Sequence, residues 1–350
     1  MNSQLIDKHT IPASTPLRLA LEKLNNVPDN LTLFVLNEEH QLVGTLTDGD
    51  VRRGLLTGLE LGDQTGKFMF REFRFLKQHS FTLTQVKDLR DRRIKMVPVL
   101  DNQNRIVRLA DLAGTRSLLP LEALLMAGGR GERLRPLTDH TPKPLLKVGD
   151  KPILEHNLDH LASFGIDRFH IAINYLGSMI SDYFGDGSAK NISISYLNEK
   201  RPLGTLGAAS MISSFAYENI LVMNADILTN IDLEDFFNDF EEQQALMSVA
   251  SVPYKVNMPF AVLETRQNRV LSFREKPQYT YYTSGGLYLM KRSLISRIPL
   301  ESMYHATDLM DNILSNDEKL VQYPIHGVWM DIGRREDFDK AQEEIKHIRF

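Results

Sequence analysis

The stretch LLMAGGRGERLRPLTDHTPKPLLKVGDKPILEH lies at residues 124–156, in the middle of a 350-residue chain. It joins an apolar run typical of a strand to a glycine-rich loop and then to a helix, which we expect Pro152 to open. Gly128, Gly129 and Gly131 lack a Cβ, so the backbone can take positive φ and turn its N–H groups towards an anion. The order of these pieces predicts a turn that holds a polyphosphate.

Basic side chains strengthen this prediction. Arg130, Arg133, Arg135 and Lys143 place positive charge in and after the loop, and two prolines stiffen the segment that carries Lys143. The spacing fits neither a Walker A loop, GxxxxGK[ST], nor the GxGxxG fingerprint of dinucleotide-binding folds. A lone GGxG would also fit an exposed turn with scattered charges, but the continuation through Lys143 favours phosphate binding.

Composition limits the classes of function. The chain is 42% hydrophobic and 25% charged with a net charge of −4, which is ordinary for a globular protein and argues against a general nucleic-acid binder. It has no cysteine, which excludes a disulfide or a thiolate nucleophile, and its 10 histidines show no HExxH spacing. The first residues lack the apolar core of a signal peptide, and no apolar run approaches the length of a membrane span. We therefore expect a cytoplasmic protein without membrane partners.

Strands and helices alternate in the second part of the chain, residues 119–350. An amphipathic helix is expected at 151–165, with Gly165 at its C-terminal cap, and strand-like runs occupy 122–127, 169–174, 192–197 and 220–226. This alternation predicts an α/β, Rossmann-like fold with a mostly parallel sheet flanked by helices. The glycine loop and Asp226 both follow strands, at the carboxyl edge where such sheets bind ligands. Taken alone, Asp226 would equally fit a turn or helix cap.

The first 118 residues contain two degenerate repeats, at about 1–62 and 63–118. Each reads as a helix, an apolar strand, a polar turn and a second strand that ends in an acidic residue before more helix. The repeats predict a smaller α+β domain pair ahead of the α/β domain at 119–350.

The chain resembles the sugar-1-phosphate nucleotidyltransferases, which join a nucleoside triphosphate to a sugar phosphate and release pyrophosphate. The resemblance rests on the glycine-loop stretch and on five further motifs in the family's order: PLGTLGAA (202–209), VMNADIL (222–228), FREKP (273–277), TSGGLYLM (283–290) and WMDIGRREDFDKA (329–341). It covers residues 119–350. Glu132 departs from the pattern, because many members have Thr there.

The resemblance implies roles for particular residues. Asp226 and Asp331 match the family's ligands for Mg²⁺, a cation that takes one or two carboxylates together with substrate phosphates. Arg133 and Lys143 match catalytic contacts to the triphosphate, so direct in-line transfer needs no covalent nucleophile. The matched nucleotide-binding residues are Leu125, Ala127, Gly128, Gly129, Gly131, Gly204 and Thr205, and the matched sugar-phosphate residues are Glu275, Lys276 and Gly286. For Gly286 a hairpin or bulge role is equally open.

The two N-terminal repeats resemble a pair of CBS domains, which often bind adenosine nucleotides. The first repeat has the GxxTxxD pattern as Gly44, Thr47 and Asp50, whereas the second keeps only Asp111 and has Arg108 in place of Thr. The resemblance implies that Thr47 and Asp50 hold a regulatory nucleotide. Capping of the helix that follows explains the same residues equally well.

The identity of the base does not follow from a motif. A CBS pair ahead of a transferase resembles a glucosamine-1-phosphate guanylyltransferase-like subgroup, with members proposed to act on the way to legionaminic acid, so GTP and glucosamine 1-phosphate are favoured. CTP, UTP or dTTP with another sugar 1-phosphate, or a non-catalytic nucleotide sensor, are the alternatives. Proteins of both kinds often self-associate, which makes a homo-oligomer an expectation.

Overall fold

The computed structural model describes residues 2–27, 31–78 and 80–347. The chain forms two compact units. The first comprises Met1–Pro120 together with Leu161–Arg168 and Asp186–Ile194, and the second comprises Leu121–His160, Phe169–Gly185 and Ser195–Phe350. The predicted boundary at residue 118 between an N-terminal and a C-terminal domain stays a prediction.

The helices and strands alternate along the chain. The helices are α1 Asn2–His9, α2 Leu17–Asn25, α3 Asp48–Leu56, α4 Leu83–Asp91, α5 Ile153–Ser163, α6 Gly177–Phe184, α7 Leu233–Glu242, α8 Ala306–Ser315 and α9 Arg335–Glu344. The strands are β1 Thr10–Pro12, β2 Thr32–Leu36, β3 Leu42–Thr47, β4 Leu76–Lys77, β5 Met96–Leu100, β6 Ile106–Asp111, β7 Leu121–Met126, β8 Lys147–Val148, β9 Lys151–Pro152, β10 Arg168–Ile173, β11 Ser193–Asn198, β12 Asn219–Asn224, β13 Ile227–Thr229, β14 Met247–Asn257, β15 Val262–Arg266, β16 Arg269–Arg274, β17 Gln278–Lys291, β18 Leu320–Pro324 and β19 Trp329–Asp331.

Within the described ranges, none of the helices combines the length and the apolar character that crossing a bilayer would require.

The first unit contains two small sheets built in the same way. One has the order β1-β2-β3 and the other β4-β5-β6, and in each the first pair is parallel and the second antiparallel. The first sheet packs on a core that includes Leu17, Leu33 and Leu46, all fully buried. The two sheets thus share strand order and sense, and the internal repeat itself stays a prediction.

The second unit is built on a seven-stranded sheet of order β11-β10-β7-β12-β17-β14-β18. Strand β7 pairs in parallel with both β10 and β12, and β14 pairs in parallel with β18, while β17 is antiparallel to its two neighbours. Buried aliphatic side chains fill the strands of the parallel part, as expected where helices cover both faces. The predicted α/β fold with a mostly parallel sheet is confirmed.

The central strands end together. Met126 at the end of β7 lies opposite Ala172 of β10 and Asn224 of β12. The loops that follow these strands therefore leave the sheet at one edge, and the glycine loop is the middle one.

Pro152 does not open a helix. It is the second residue of β9, which pairs with β8 so that Pro152 lies opposite Lys147, and α5 begins one residue later at Ile153. Gly165 follows α5 with φ +79°, and a Cβ there would lie 2.7 Å from the carbonyl oxygen of Ser117. The predicted end of this helix at glycine therefore has a conformational and a packing cause.

Candidate active site

The glycine loop follows β7 and lines a cavity of about 610 Å³ in the second unit. The residues around the cavity are Met126, Gly128, Gly129, Arg130, Gly131, Glu132, Arg133, Lys143, Asn174, Glu199, Pro202, Leu203, Gly204, Thr205, Asn224, Asp226, Asp331 and Gly333. The structure thus gathers residues from segments that are distant in sequence at the carboxyl edge of the sheet.

The three glycines of the loop have different surroundings. Gly131 alone has a positive φ, +63°, and a Cβ there would lie 2.9 Å from Thr138 Cγ2. A Cβ on Gly128 would clash with Glu199 Oε2, whereas a Cβ on Gly129 would meet nothing within 4 Å. Gly129 therefore presents open backbone to the cavity, and Gly131 requires glycine because of its positive φ and its close neighbours, whereas at Gly128 the end of the Glu199 side chain would have to move.

Two carboxylates approach the loop because their backbones pair. Asp226 follows β12, and Asp331 ends β19, which runs antiparallel to β13 with Asp331 opposite Ile227. The backbone N–H of Ile332 also donates to the carbonyl oxygen of Asp226 over 3.0 Å. Burial raises the pKa of the Asp331 carboxyl, and the negative charge of Asp226 raises it further.

Lys143 contacts one member of this carboxylate pair, Asp226, directly. Its Nζ donates to Asp226 Oδ2 over 2.5 Å, and the residue is only 8% exposed. Lys143 begins a short 3₁₀ turn, Lys143–Leu145, with Pro142 before it at φ −65° and Pro144 after it. The two prolines hold the backbone that carries a buried ammonium group, as the sequence suggested.

The arginines of the loop differ in position. Arg130 and Arg133 line the cavity, and the guanidinium of Arg130 lies 5.8 Å from the ring centre of Tyr175. Arg135 is not a lining residue and forms an exposed ion pair with Asp139, 3.5 Å away. Glu132, which departs from the family pattern, is an exposed residue of the cavity rim and begins the 3₁₀ turn Glu132–Leu134.

The PLGTLG segment is fixed against the start of α8. Gly204 has φ +78°, and a Cβ there would lie 2.7 Å from the carbonyl oxygen of Tyr304. Thr205 Oγ1 accepts a hydrogen bond from the N–H of Ala306 over 2.7 Å. Both residues line the cavity, so the segment forms part of its wall.

Several predicted residues are not among those that line the cavity. Leu125 and Ala127 are buried in and beside β7. Glu275 and Lys276 are exposed and follow β16, with Lys276 at φ +43°. Gly286 has φ +72° and lies against β12, where a Cβ would come within 2.9 Å of Asn224 Nδ2. The close approach of β12 therefore accounts for a glycine at position 286.

Three of the polar cavity residues were not named as site residues from the sequence: Asn174, Glu199 and Asn224. Asn174 Nδ2 donates to the carbonyl oxygen of Glu199 over 2.6 Å. Asn224 Oδ1 is buried and has no hydrogen-bond partner in the part of the chain that the structure describes. Asn224 stands two residues before Asp226 in MNAD, which is the one local signal that could have drawn attention to it.

The donor set of the cavity fits a hard divalent cation. Two neighbouring carboxylates, one with a raised pKa, are oxygen ligands of the kind that Mg²⁺ takes together with substrate phosphates. No group of three or more His, Asp or Glu side chains gathers for a metal within the described ranges. Substrate phosphates would therefore have to complete the coordination, which is usual for Mg²⁺.

Thr47 and Asp50 form a helix cap. Thr47 Oγ1 accepts from the N–H of Asp50, and Asp50 Oδ2 accepts from the backbone and the hydroxyl of Thr47, which is a complete capping box for α3. Asp50 is 6% exposed and also accepts from Arg53. The capping interpretation thus describes what these residues do in the structure, and nucleotide binding by them stays a proposal.

Arg108, which replaces Thr in the second repeat, has a different role. Its guanidinium forms an ion pair with Asp167 at 2.9 Å and donates to the carbonyl oxygen of Gly165 over 2.8 Å, all within the first unit. Arg108 and Asp111 also line a cavity of about 460 Å³ in this unit, and Thr47 and Asp50 are not among its lining residues.

Comparison with known proteins identifies the family. The model of the Nucleotidyl transferase family matches residues 122–347, and that of the CBS domain matches residues 1–57. The chain therefore belongs to the nucleotidyl transferase family and carries a CBS domain before the transferase region. The family and enzyme class predicted from the sequence are confirmed.

Two guanylyltransferases are similar to this chain. A D-glycero-alpha-D-manno-heptose 1-phosphate guanylyltransferase of Aneurinibacillus thermoaerophilus is 30% identical over 232 residues, which are 65% of this chain and 99% of that protein. A mannose-1-phosphate guanylyltransferase of Mycobacterium tuberculosis is 30% identical over 231 residues, 64% of either protein. The chain therefore spans less than two thirds of the length of the second relative.

A solved structure supports the fold. A crystal structure from Bacillus anthracis, described as a glucose-1-phosphate thymidylyltransferase in complex with a sucrose, matches 66% of this chain and 97% of its own. The TM-score is 0.53 and the identity 22%, so the likeness concerns the fold alone.

Proposed function

We propose that the chain transfers a nucleoside monophosphate from an NTP to a sugar 1-phosphate and releases pyrophosphate, with GTP as the favoured NTP. The observation that carries this proposal is the meeting of Asp226, Asp331 and Lys143 with the open backbone of the glycine loop in one cavity. The guanylyltransferase names of two relatives support GTP. We favour glucosamine 1-phosphate as the sugar, because a CBS region ahead of a transferase resembles the glucosamine-1-phosphate guanylyltransferase-like subgroup. Mannose and heptose 1-phosphates are the alternatives that the names of the relatives suggest.

The chemistry is an in-line displacement. A phosphate oxygen of the sugar 1-phosphate attacks the α-phosphorus of the NTP, the bond to the bridging oxygen of the β-phosphate breaks, and pyrophosphate leaves with the electron pair. Both reactants are anions, so the site must align them and offset their repulsion. A Mg²⁺ ion held by Asp226 and Asp331 would supply charge neutralisation at the phosphates when bound.

Side chains and loop backbone of the protein stabilise the remaining phosphate charge and position the two substrates. Lys143 stabilises the α-phosphate as charge builds on it, and Arg133 binds the outer phosphates from the rim. The glycine-loop residues Leu125, Ala127, Gly128, Gly129 and Gly131, with Gly204 and Thr205, position the nucleotide. Glu275, Lys276 and Gly286 remain the proposed contacts to the sugar phosphate.

The product would be a sugar nucleotide for surface polysaccharide or a nonulosonate such as legionaminic acid. The domain limits 1–118 and 119–350, the cytoplasmic location and a homo-oligomeric state stay predictions.

The reaction is tested by measuring pyrophosphate release with GTP, CTP, UTP and dTTP, each crossed with glucosamine, glucose, mannose and heptose 1-phosphates, with and without Mg²⁺. Turnover that requires Mg²⁺ and is abolished in Asp226→Asn is expected. Asp139→Asn is the matched control, because Asp139 is a nearby exposed carboxylate outside the cavity lining. Absence of turnover with every pair would favour a non-catalytic sensor.

An adenosine nucleotide at the CBS region is a separate proposal, which rests on Thr47 and Asp50. AMP or ATP is expected to raise the melting temperature and to alter turnover, and Asp50→Ala to lose both responses. Because Asp50→Ala also removes a helix cap, the ligand-dependent shift, rather than the melting temperature itself, is the quantity to compare.

A further inference from the structure

Within the described residues, a long two-stranded segment of the second unit has no third strand beside it. Strand β14 pairs with β18 only as far as Ser251, and β17 pairs with β12 only from Leu287 onward. In the segment between these points, residues 252–283, β14 and β17 pair only with each other, and the hairpin β15–β16 connects them. A two-stranded hairpin is at best marginally stable in water unless a further strand or a packing surface supports it. Strand pairing alone therefore leaves this segment without support.

Exposed apolar side chains are concentrated in the two-stranded segment. Of the 21 large apolar side chains that are exposed in the described part of the chain, nine lie in this segment. Their exposed fractions run from 37% to 75%, and they are Tyr254, Met258, Phe260, Leu263, Val270, Leu271, Phe273, Tyr281 and Tyr282. Single apolar residues at a surface need no explanation, whereas a contiguous group of this size marks an interaction site.

The hairpin β15–β16 has an apolar face. Residues that lie opposite each other in a sheet share a face, and so does every second residue along a strand. Leu263 lies opposite Phe273, and Thr265 lies opposite Val270, so these four side chains are on one face. Leu263, Phe273 and Val270 are 56%, 67% and 50% exposed. The alternation is that of a strand with one face buried, yet the apolar face is open.

The charged side chains of the hairpin lie on its other face. The hydroxyl of Ser272 donates to Glu264 Oε2 over 2.5 Å, and a guanidinium nitrogen of Arg274 lies 3.8 Å from Glu264 Oε1. Arg266 and Arg269 lie opposite each other and, by the alternation, belong to this face too. The apolar face is therefore uncharged, so two copies of it can meet without bringing like charges together.

The extent of the exposed apolar surface indicates what can cover it. At roughly 100 Å² for each exposed side chain, the nine side chains offer about 900 Å². A stable protein interface buries about 800 Å² per partner over about 20–30 residues, which is close to the length of the segment. A short peptide would leave much of this surface open. A second copy of the segment has both the length and the uncharged face that are required.

From these observations we propose that two copies of the chain associate through residues 252–283, with the apolar faces of their hairpins packed against each other. The contact is isologous, so that each copy presents the same residues to the other. Two hairpins stacked in this way form a small four-stranded sandwich, which buries Leu263, Val270 and Phe273 of both copies. The proposal goes beyond the transfer reaction, does not depend on it, and identifies the surface through which the chain self-associates.

Sedimentation equilibrium tests the proposal. The wild-type protein is expected to have twice the mass of one chain. Leu263→Asp would place two like charges within the interface, so the dissociation constant of the dimer should rise on the order of 100-fold. Leu314→Asp is the matched control, because Leu314 is a 60% exposed leucine near the end of α8, outside the two-stranded segment, and this variant should remain a dimer.

Chemical cross-linking locates the contact without disrupting it. The chain has no cysteine, so a single introduced thiol reports on one position. Thr265→Cys, on the apolar face, should give a covalent dimer with a short bismaleimide. Ser272→Cys, on the opposite face of the same hairpin, should give little covalent dimer under the same conditions.

Each of the other outcomes overturns the proposal. A wild-type protein that is monomeric at all concentrations has no such interface, and a dimer that withstands Leu263→Asp uses another surface. Cross-linking through Ser272→Cys but not Thr265→Cys would place the contact on the charged face. A monomer that binds vesicles of anionic lipid, and loses this binding in Leu263→Asp, would show that a membrane covers the apolar face instead. Turnover enters none of these measurements, so the transfer reaction stands or falls separately.

Discussion

Lys143 and Asp226 are 83 residues apart in sequence, yet the Nζ of one lies 2.5 Å from Oδ2 of the other. This ion pair places a buried ammonium group beside the carboxylate that we propose as a Mg²⁺ ligand. Both side chains line the same cavity as the glycine loop. Any ligand that brings phosphate and a cation to this point must redistribute these contacts. The pair therefore marks where charge is rearranged during the proposed reaction.

The first prediction concerns Lys143→Met. Removing the ammonium group that stabilises the α-phosphate should lower kcat on the order of 10²–10³-fold, the range found when one preorganised donor is removed. Because the contact strengthens with developing charge, kcat should fall with little change in KM for the NTP. Steady-state kinetics with Lys147→Met as control, a change at an exposed lysine outside the cavity, checks this expectation. A defect confined to KM would contradict the assigned role.

The second prediction separates two loop glycines. Gly131→Ala forces an alanine into φ +63° with its Cβ 2.9 Å from Thr138 Cγ2, so the free energy of unfolding should fall by about 1–3 kcal/mol. Gly129→Ala meets nothing within 4 Å, so its unfolding free energy should stay near that of the wild type.

Gly129→Ala should weaken binding of the NTP although it leaves the stability of the fold unchanged. Its new methyl group would stand between the open backbone and the phosphates, so a rise in the dissociation constant for the NTP is expected. Chemical denaturation and equilibrium binding of the same two variants measure both effects. Wild-type binding by Gly129→Ala would show that the phosphates do not approach this part of the loop.

The third prediction is the pH dependence that Glu199 causes. Its folded-state pKa is raised by burial, so between the unfolded and folded values the folded protein binds more protons. The contribution of Glu199 to stability is therefore greatest below the unfolded pKa and is lost as pH rises through the folded pKa. Glu199→Gln should remove this dependence and raise the melting temperature at neutral pH, which thermal denaturation across the acidic range can measure.

The fourth prediction concerns the residue that breaks the repeat pattern. Arg108→Thr restores the family residue but removes the ion pair with Asp167 and the bond to the Gly165 carbonyl, at side chains only 14% and 21% exposed. A loss of about 1.5–3 kcal/mol in unfolding free energy is expected, the usual value for hydrogen bonds to charged groups.

A double-mutant cycle with Asp167→Asn distinguishes the pair from other effects of Arg108. The two single losses should fail to add, with a coupling energy of about 0.5 kcal/mol or more. Additive losses would show that Arg108 stabilises the unit through packing of its stem alone.

The glycine loop and the position of Asp226 at the edge of the sheet could be predicted from sequence because each is marked locally, whereas Asp331 was indicated only by the resemblance of WMDIG to the family. The loop has its glycines and cations within one short stretch, and Asp226 directly follows an apolar strand. Parallel strands that end at one edge then bring these residues together, as the register of β7 with β12 shows. The α/β fold was predictable for the same reason, since the alternation of strands and helices is itself a local pattern.

Glu199 and Asn174 could not be found in this way. Their place in the cavity depends on which strands are neighbours, and the order β11-β10-β7 reverses the chain order in a manner that no local pattern fixes. Glu275 and Lys276 show the opposite case. Their motif is clear in the sequence, but the structure leaves them exposed and outside the cavity lining.

The first unit takes two of its segments, Leu161–Arg168 and Asp186–Ile194, from within the stretch that matches the transferase family. A fragment that stopped at residue 120 would lack Asp167, the partner of Arg108, and the carbonyl of Ser163 that accepts from the N–H of Arg116. A fragment that began at residue 121 would keep those segments but lose what they pack against. Exchange of the N-terminal part between relatives would therefore also have to replace Leu161–Arg168 and Asp186–Ile194, because these segments complete the first unit.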